Sequence, residues 1–372
     1  MKTSYIAAIV IVLVVVVAAG AYYYVSTQQP AQKQFKVAAI FTTPLEEPWN
    51  NIMYQALVQA QNQLGINFTY VENVGTSDEP GVALNYINNG YNLVIPDSWG
   101  FWSSTDNLSR VYPAVYFGEG SGLSTDFSKG NLLLFDSYLQ ESSYVAGYVG
   151  AMVSNTSKLG VVAAYQSAGD VDDLINGFIA GARAENPSCN ITVAYINSWY
   201  DPAAAQTVAQ SMIASGVDVI YGEREGTFQA CVGPTGQQLA VAFGDYVNQN
   251  DEANTTVAGS VVWNNYPMLK AMIQGAENGS FPAGDYYCRM ANNDTYFAWN
   301  PYFENLSPTW AAAYAAAQNL VAQIDAGTVM WGNIQGGLQN GTVITGIMKI
   351  DGTTASGVTT PIWVPDFATP VP

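Results

Sequence analysis

The chain contains no histidine among its 372 residues. A Ser-His-Asp or Cys-His nucleophile therefore cannot be assembled, imidazole cannot act as a general base, and zinc loses its usual nitrogen ligand. Positive charge is also scarce: 11 Lys+Arg stand against 29 Asp+Glu, for a formal net charge of -18. With no basic face to meet phosphates, nucleic-acid binding is excluded as a function class. Cysteine occurs only at Cys189, Cys231 and Cys288, far apart and without metal-ligand spacing. An odd count permits one disulfide at most, and the sequence leaves the pairing open. No GxxxxGK(S/T) phosphate loop is present, and Gly118-Glu119-Gly120-Ser121-Gly122 lacks the GxGxxG spacing, so it reads as a plain turn. No cofactor and no metal site are expected.

Charged residues make up only 11% of the chain, and Asn, Gln, Ser, Thr and Tyr supply the remaining polar cover. Nine Asn-x-Ser/Thr sequons, from Asn67 to Asn340, fit an exported, glycosylated protein. A surface built on neutral polar groups also suits an acidic exterior, because protonating carboxylates there breaks few ion pairs. Behind Lys2, residues 5–25 form an uncharged apolar run of about the length needed to cross a bilayer. A retained N-terminal anchor is expected; the alternative is a cleaved signal, with Ala19-Gly20-Ala21 resembling a cleavage site. Either places the protein at the cell surface or outside the cytoplasm. Residues 26–34 read as a flexible linker.

Beyond the linker, short β-branched runs alternate with helical apolar periodicity. Residues 35–41 are almost wholly apolar, as in a strand buried on both faces. A helix follows from near Trp49 to Gly65, then strands near 68–72, 93–95, 111–117 and 132–135. A helix over 140–153 leads into a second run of the same grammar, through strands near 159–164, 193–196, 217–221, 237–243 and 257–263. Such alternation predicts an α/β fold of open parallel sheets with helices on both faces. Two halves are expected: lobe 1 over 35–145, completed by part of 263–300, and lobe 2 over 146–262, completed by part of 301–350. Residues 351–372 read as an extended Pro/Thr-rich tail.

In such sheets ligands sit beyond the carboxyl ends of the strands. The clearest βαβ unit runs from Val193 to Tyr221, with Asp201 as helix N-cap and Pro202 at the first helical position. Its strand ends carry Trp199 and Glu223, an aromatic plate and a carboxylate. The end of the 93–95 strand carries Asp97, Trp99 and Phe101, and the first strand's turn presents Trp49. Trp263 lies where the chain should cross between lobes, so a hinge or cleft position is expected for it.

Several of these stretches resemble the basic membrane protein family, substrate-binding proteins of ABC transporters with a two-lobed type I periplasmic-binding-protein fold. The match is clearest over residues 197–216 (NSWYDPAAAQTVAQSMIASG) followed by VDVI, and continues in KLGVVAAYQSAGDVDDLINGFIAGARA (158–184) and ESSYVAGYVG (141–150). Residues 46–50 (EEPWN) stand where many members carry an acid, an aromatic and Asn, which adds Glu46 and Asn50 to the candidates. Where members often carry Gly-x-Asp-x-Asp, this chain has Gly244-Asp245-Tyr246-Val247-Asn248; Asp245 is the candidate there, and Asn replaces the second acid. The resemblance implies capture of a purine base, nucleoside or similar flat heterocycle between two lobes, delivery to an ABC permease in the membrane, and no enzymatic step. Trp49, Trp99, Phe101 and Trp199 would give faces for stacking, and Glu46, Asn50, Asp97 and Glu223 acceptors for ring N–H groups or ribose hydroxyls. The competing reading is an extracellular carboxylate-dependent, glycosidase-like hydrolase; acids are plentiful, but nothing in the sequence marks one convergent pair. A sensor ectodomain is a third and weaker reading.

Overall fold

A computed structural model describes residues 16–18, 20, 34–122, 124, 126–165, 169–326, 337–339 and 342–344. The expected anchor over 5–25 and linker over 26–34 lie outside the described residues, apart from Val16–Ala18, Gly20 and Gln34; the tail over 351–372 lies wholly outside them. Among the described residues, no helix is long and apolar enough to cross a membrane.

From Lys36 onward the chain builds two six-stranded sheets. The first contains β1 (Lys36–Phe41), β2 (Asn67–Val71), β3 (Leu93–Asp97), β4 (Tyr116–Gly120), β5 (Leu132–Ser137) and β11 (Gly284–Cys288), in the order β11-β5-β4-β3-β1-β2. All its neighbours run parallel. The second contains β6 (Lys158–Ala163), β7 (Asn190–Tyr195), β8 (Val219–Gly222), β9 (Val241–Tyr246), β10 (Val257–Trp263) and β12 (Thr295–Trp299), in the order β12-β10-β9-β8-β6-β7. Only β12 is antiparallel to its neighbour. The apolar runs explain this placement: β1, β3, β5 and β10 are buried along nearly their whole length, which only a sheet covered on both faces allows.

The covering helices begin and end on identifiable residues. In α1 (Pro48–Leu64), the Glu47 carboxylate accepts from the Asn50 backbone N–H, Pro48 takes the first turn, and Gly65 closes the helix with φ of 71°. Three further helices follow: α2 (Glu79–Asn88), α3 (Trp102–Val111) and α4 (Gln140–Val153). Residues 111–117, expected as a strand, are instead the last residue of α3, a turn over 112–115 and the first two residues of β4: the α3 periodicity carries Leu108 inward and leaves Val111 58% exposed. α4 packs against α5 (Gly169–Glu185) so closely that a Cβ on Gly147 or Gly181 would collide with carbonyl oxygens of Phe178 and Tyr144. The second half adds α6 (Pro202–Ala214), capped as expected by Asp201 on the Ala204 N–H at 3.0 Å, then α7 (Thr227–Ala230) and α8 (Tyr266–Asn278). α9 (Pro301–Glu304) and α10 (Pro308–Asp325) complete the helices.

Each sheet has its own core. Ile40, Val94, Phe101, Phe117 and Leu134 lie in one cluster; Val162, Ala209, Met212, Ile220 and Ala242 lie in the other. Cys189, Cys231 and Cys288 are buried free thiols, so none of them forms a disulfide. In both sheets the strand order reverses beside the first strand of the unit, between β1 and β3 and between β6 and β8. Those switch points open crevices at the strands' carboxyl ends.

Candidate functional site

A slot lies at these crevices, lined from the first lobe by Thr42, Thr43, Glu47, Trp49, Asn50, Asp97, Ser98, Trp99 and Ser121, and from the second by Trp199, Arg224 and Tyr246. Its volume with the mouth included is about 400 Å³. An ion pair between Glu47 and Arg224 draws the lobes together over it.

Trp49 forms its central wall. The turn after β1 and the Pro48 start of α1 place it at the slot, and its indole Nε1–H donates to Asp97 Oδ1 at 2.9 Å. From the second sheet, Trp263 meets the ring edge-on at 4.8 Å between centroids and Tyr246 does so at 5.6 Å. Both distances fall in the favourable range for aromatic pairs. Tyr246 holds a left-handed backbone, with φ of 60°, although it is a bulky residue at the end of β9. Such an outlier is costly and persists where surrounding packing over-determines it. Trp199 packs edge-on against Tyr165 at 4.8 Å.

Glu47 and Arg224 close the slot across the lobes. Arg224 Nη1 donates to Glu47 Oε1 at 3.2 Å and to the Trp199 carbonyl at 2.6 Å, and Nη2 pairs with Glu223. All three charged residues are buried. The guanidinium also lies 6.0 Å from the Trp199 ring centroid and 5.7 Å from that of Tyr246, within reach of a cation–π attraction. Burial pushes the Glu47 carboxyl up while the Arg224 charge pulls it down; the two carboxylates hold Arg224 firmly protonated against its own desolvation.

Lower in the first lobe the balance differs. Asp97 is fully buried and has no cation beside it, so burial pushes its pKa up to about 8, opposed by the Trp49 hydrogen bond and reinforced by the Glu47 charge. Glu119, also fully buried, is raised by burial and by the neighbouring Asp97 charge. Among the described residues, Asp97 Oδ2, Asn50 Oδ1 and Ser121 Oγ have no hydrogen-bond partner, and all three belong to slot-lining side chains. A buried polar atom left unpaired costs about 1–3 kcal/mol, so such atoms mark places where a ligand can substitute for water.

The sequence candidates separate into groups. Trp49, Asn50, Asp97, Trp99 and Trp199 line the slot. Asn50 does not cap α1, which Glu47 does; instead its amide donates to the Thr43 carbonyl at 2.9 Å and hydroxyl at 2.6 Å, pinning the turn. Glu223 is not a lining residue: its carboxylate accepts from the Ala164 N–H at 2.8 Å and from Arg224, so it orients the guanidinium that is. Asp245 lies deeper, accepting from the Tyr221 hydroxyl at 2.6 Å. Phe101 faces away, 0% exposed in the first lobe's core, because the short helical turn over Trp99–Phe101 carries it inward. Glu46 is exposed, and its neighbour Glu47 takes the inward place at the helix start. Trp263 braces Trp49 and borders a different cavity. Arg224, Glu47 and Tyr246 went unselected. The one available signal was a cation beside two acids at a strand's carboxyl end in a chain with 11 Lys+Arg.

The comparisons agree with this architecture. The family model for ABC transporter substrate-binding protein PnrA-like (Bmp) matches residues 6–294. A purine-binding protein of Brucella abortus is 26% identical over 253 residues, 66% of this chain and 71% of that protein. The nucleoside-binding protein BmpA of Lactococcus lactis is 26% identical over 161 residues, 42% of this chain and 44% of its own length. A solute-binding protein of an ABC transporter system from Aeropyrum pernix shares the fold with a TM-score of 0.68 at 16% identity, over 79% of this chain and 92% of that one. With a family match across most of its length and two mostly parallel sheets meeting at a slot, the chain belongs to the Bmp family of PnrA-like ABC transporter substrate-binding proteins.

Proposed function

We propose that the slot captures a purine base, a purine nucleoside or a similar flat heterocycle for hand-over to an ABC permease. The observation that carries this reading is the combination of a fixed indole plate with unpaired polar groups beside it: Trp49 is held by Asp97 and braced by Trp263, while Asn50 Oδ1 (an acceptor), Ser121 Oγ (donor or acceptor) and Asp97 Oδ2 (a donor while the carboxyl is protonated) have no partner among the described residues. A planar ring with N–H groups and ring nitrogens on its edge satisfies both at once, by stacking and by hydrogen bonding. Two relatives are named for purine and nucleoside binding, which supports the same ligand class. The ligand enters when the lobes part and the Glu47–Arg224 pair opens; re-forming that pair closes the slot and presents the joined lobe surface to the permease. Residues 5–25 would retain the protein at the membrane. Titrating the protein with adenosine, guanosine, adenine and riboflavin while following tryptophan emission tests the ligand. A saturable change with a purine and no product on chromatography is expected. Absence of saturation with every purine, or turnover of the ligand, overturns the reading.

A further inference from the structure

The two sheets end in four strands that pair on one side only: β11 and β2 in the first, β12 and β7 in the second. Their residues are mostly exposed or half-buried, unlike the sealed strands between them. An open edge presents unpaired N–H and C=O groups that template pairing with another chain, and proteins usually blunt it with Lys, Pro or a bulge. Those devices are missing here. β2 (NFTYV), β7 (NITVAY) and β12 (TYFAW) carry no charge and no proline, and β11 (GDYYC) carries only Asp285. All four pair with their neighbours in unbroken register. They are rich in β-branched and aromatic residues, the composition that favours strand addition. Tyr70 on β2 and Tyr296 on β12 are exposed.

What each edge strand does have is an Asn-x-Ser/Thr sequon at one end. Asn67 is the first residue of β2 and Asn190 the first of β7, the same place in the two lobes. Asn278 is the last residue of α8, just ahead of β11, and Asn305 follows α9, the short helix after β12. All four are exposed. Among the described residues every sequon asparagine is exposed, whereas only about half of the other asparagines are, with Asn131, Asn176 and Asn300 buried. The four also stand away from the slot, which opens at the carboxyl ends of the parallel strands. Asn67, Asn190 and Asn278 lie at amino ends. Because β12 runs antiparallel, it brings Asn300, and with it the turn to Asn305, back to the amino end of β10, where the Asn300 amide donates to the Val257 carbonyl at 2.6 Å. A strand's length, about 17 Å, separates that end of a sheet from the other.

We propose that Asn67, Asn190, Asn278 and Asn305 are N-glycosylation sites whose sugars guard the open edges of the two sheets. In the transfer, the asparagine Nδ2 bonds to the anomeric carbon of an oligosaccharide. The bond from that carbon to a phosphate oxygen of the lipid-linked oligosaccharide donor breaks, the lipid phosphate leaves with the electron pair, and the amide gives up one proton. A glycan is bulky and hydrated, so at the end of an edge strand it blocks a second strand from lying alongside. It does so without charge, which suits a chain with only 11% charged residues. Carboxylates lose their charge as pH falls through their pKa range, whereas a neutral sugar keeps its hydration there. The slot mouth stays uncovered, and the inference does not depend on what the slot holds.

Peptide mass spectrometry of the protein isolated from its own cells, with electron-transfer fragmentation, locates the sugars. Glycopeptides are expected at Asn67, Asn190, Asn278 and Asn305, and bare peptide at Asn186, where Pro187 interrupts the sequon. Bare peptides at the four positions, or sugars found only away from the edge strands, would overturn the proposal. The variant N67Q/N190Q/N278Q/N305Q, produced in the same cells, should match the parent's urea midpoint yet scatter light several-fold sooner on warming. N107Q/N155Q, which touches no edge strand, should behave as the parent does. Thr69→Val with Thr192→Val removes two of the sugars while keeping β-branched residues in β2 and β7, and should hasten aggregation even where the fourfold variant folds poorly. Aggregation equal to the parent's in both deglycosylated variants would refute the guarding role.

Discussion

Asp97→Asn isolates one buried acid whose titration the fold opposes. Asp97 is 0% exposed, donates nothing when ionised, and among the described residues accepts a hydrogen bond from Trp49 Nε1 at 2.9 Å. Burial raises its pKa from 3.8 to about 8 in the folded protein. Between those values the folded state keeps a proton that the unfolded state has released, so the stability Asp97 contributes is fully present below its unfolded pKa and is lost as pH rises through about 8. At about 1.4 kcal/mol per pH unit, Asp97 alone removes on the order of 6 kcal/mol across that window. Asn preserves the acceptor for Trp49 and does not titrate. Urea unfolding of parent and variant at intervals from about pH 4 to about pH 8 reads the effect directly, since carboxyl groups common to both cancel in the difference. The parent should lose several kcal/mol relative to D97N as pH rises. Parallel stability curves would refute the claim that Asp97 is held neutral at the base of the slot.

Three further substitutions probe the same machinery. Trp49→Ala removes the stacking face and should weaken adenosine binding about fivefold to a hundredfold, in line with about 1–3 kcal/mol per stacked base, as read by calorimetry. Arg224→Ala leaves Glu47 and Glu223 buried without their countercharge; it should cost about 3–5 kcal/mol in unfolding free energy and raise the radius of gyration by small-angle scattering as the lobes part. A scattering profile identical to the parent's would mean that the pair does not hold the lobes together. Phe101→Ala should cost about 3–5 kcal/mol in stability, from an emptied core site, while leaving the ligand dissociation constant within about twofold. A large loss of affinity without loss of stability would return Phe101 to the slot.

The sheet architecture was legible because its cause is local. A strand buried on both faces must be apolar throughout, and β1, β3 and β8 carry that signature in a few consecutive residues. The helix start at Pro202 was legible for the same reason, since a proline in the first turn and the acidic cap Asp201 can be read without tertiary information. The element that was misplaced, over residues 111–117, is one where a β-branched residue, Val111, closes an amphipathic helix and mimics the start of a strand. β11 and β12 are short, carry Tyr and polar residues, and pair with strands more than a hundred positions away or in the reverse sense, so no local periodicity announces them.

The site was legible only to the level of which loops meet, because strand order fixes that and side-chain direction does not follow from it. Adjacent acids show the difficulty. Glu46 and Glu47 are indistinguishable as letters, yet one helical step makes Glu47 the buried cap of α1 and leaves Glu46 in solvent. Glu223 and Arg224 are likewise neighbours, and the carboxylate that looked like a ligand group serves to aim the guanidinium beside it. The Glu47–Arg224 pair could not have been found by reading either segment alone, because its partners lie 177 positions apart on different lobes and meet only when the lobes close. A buried cation surrounded by acceptors is stable solely in that assembled state. Arg224 thus couples two properties that sequence treats separately: it holds the wall residues Trp199 and Tyr246 in place, and it makes closure itself depend on a charge supplied by the opposite lobe.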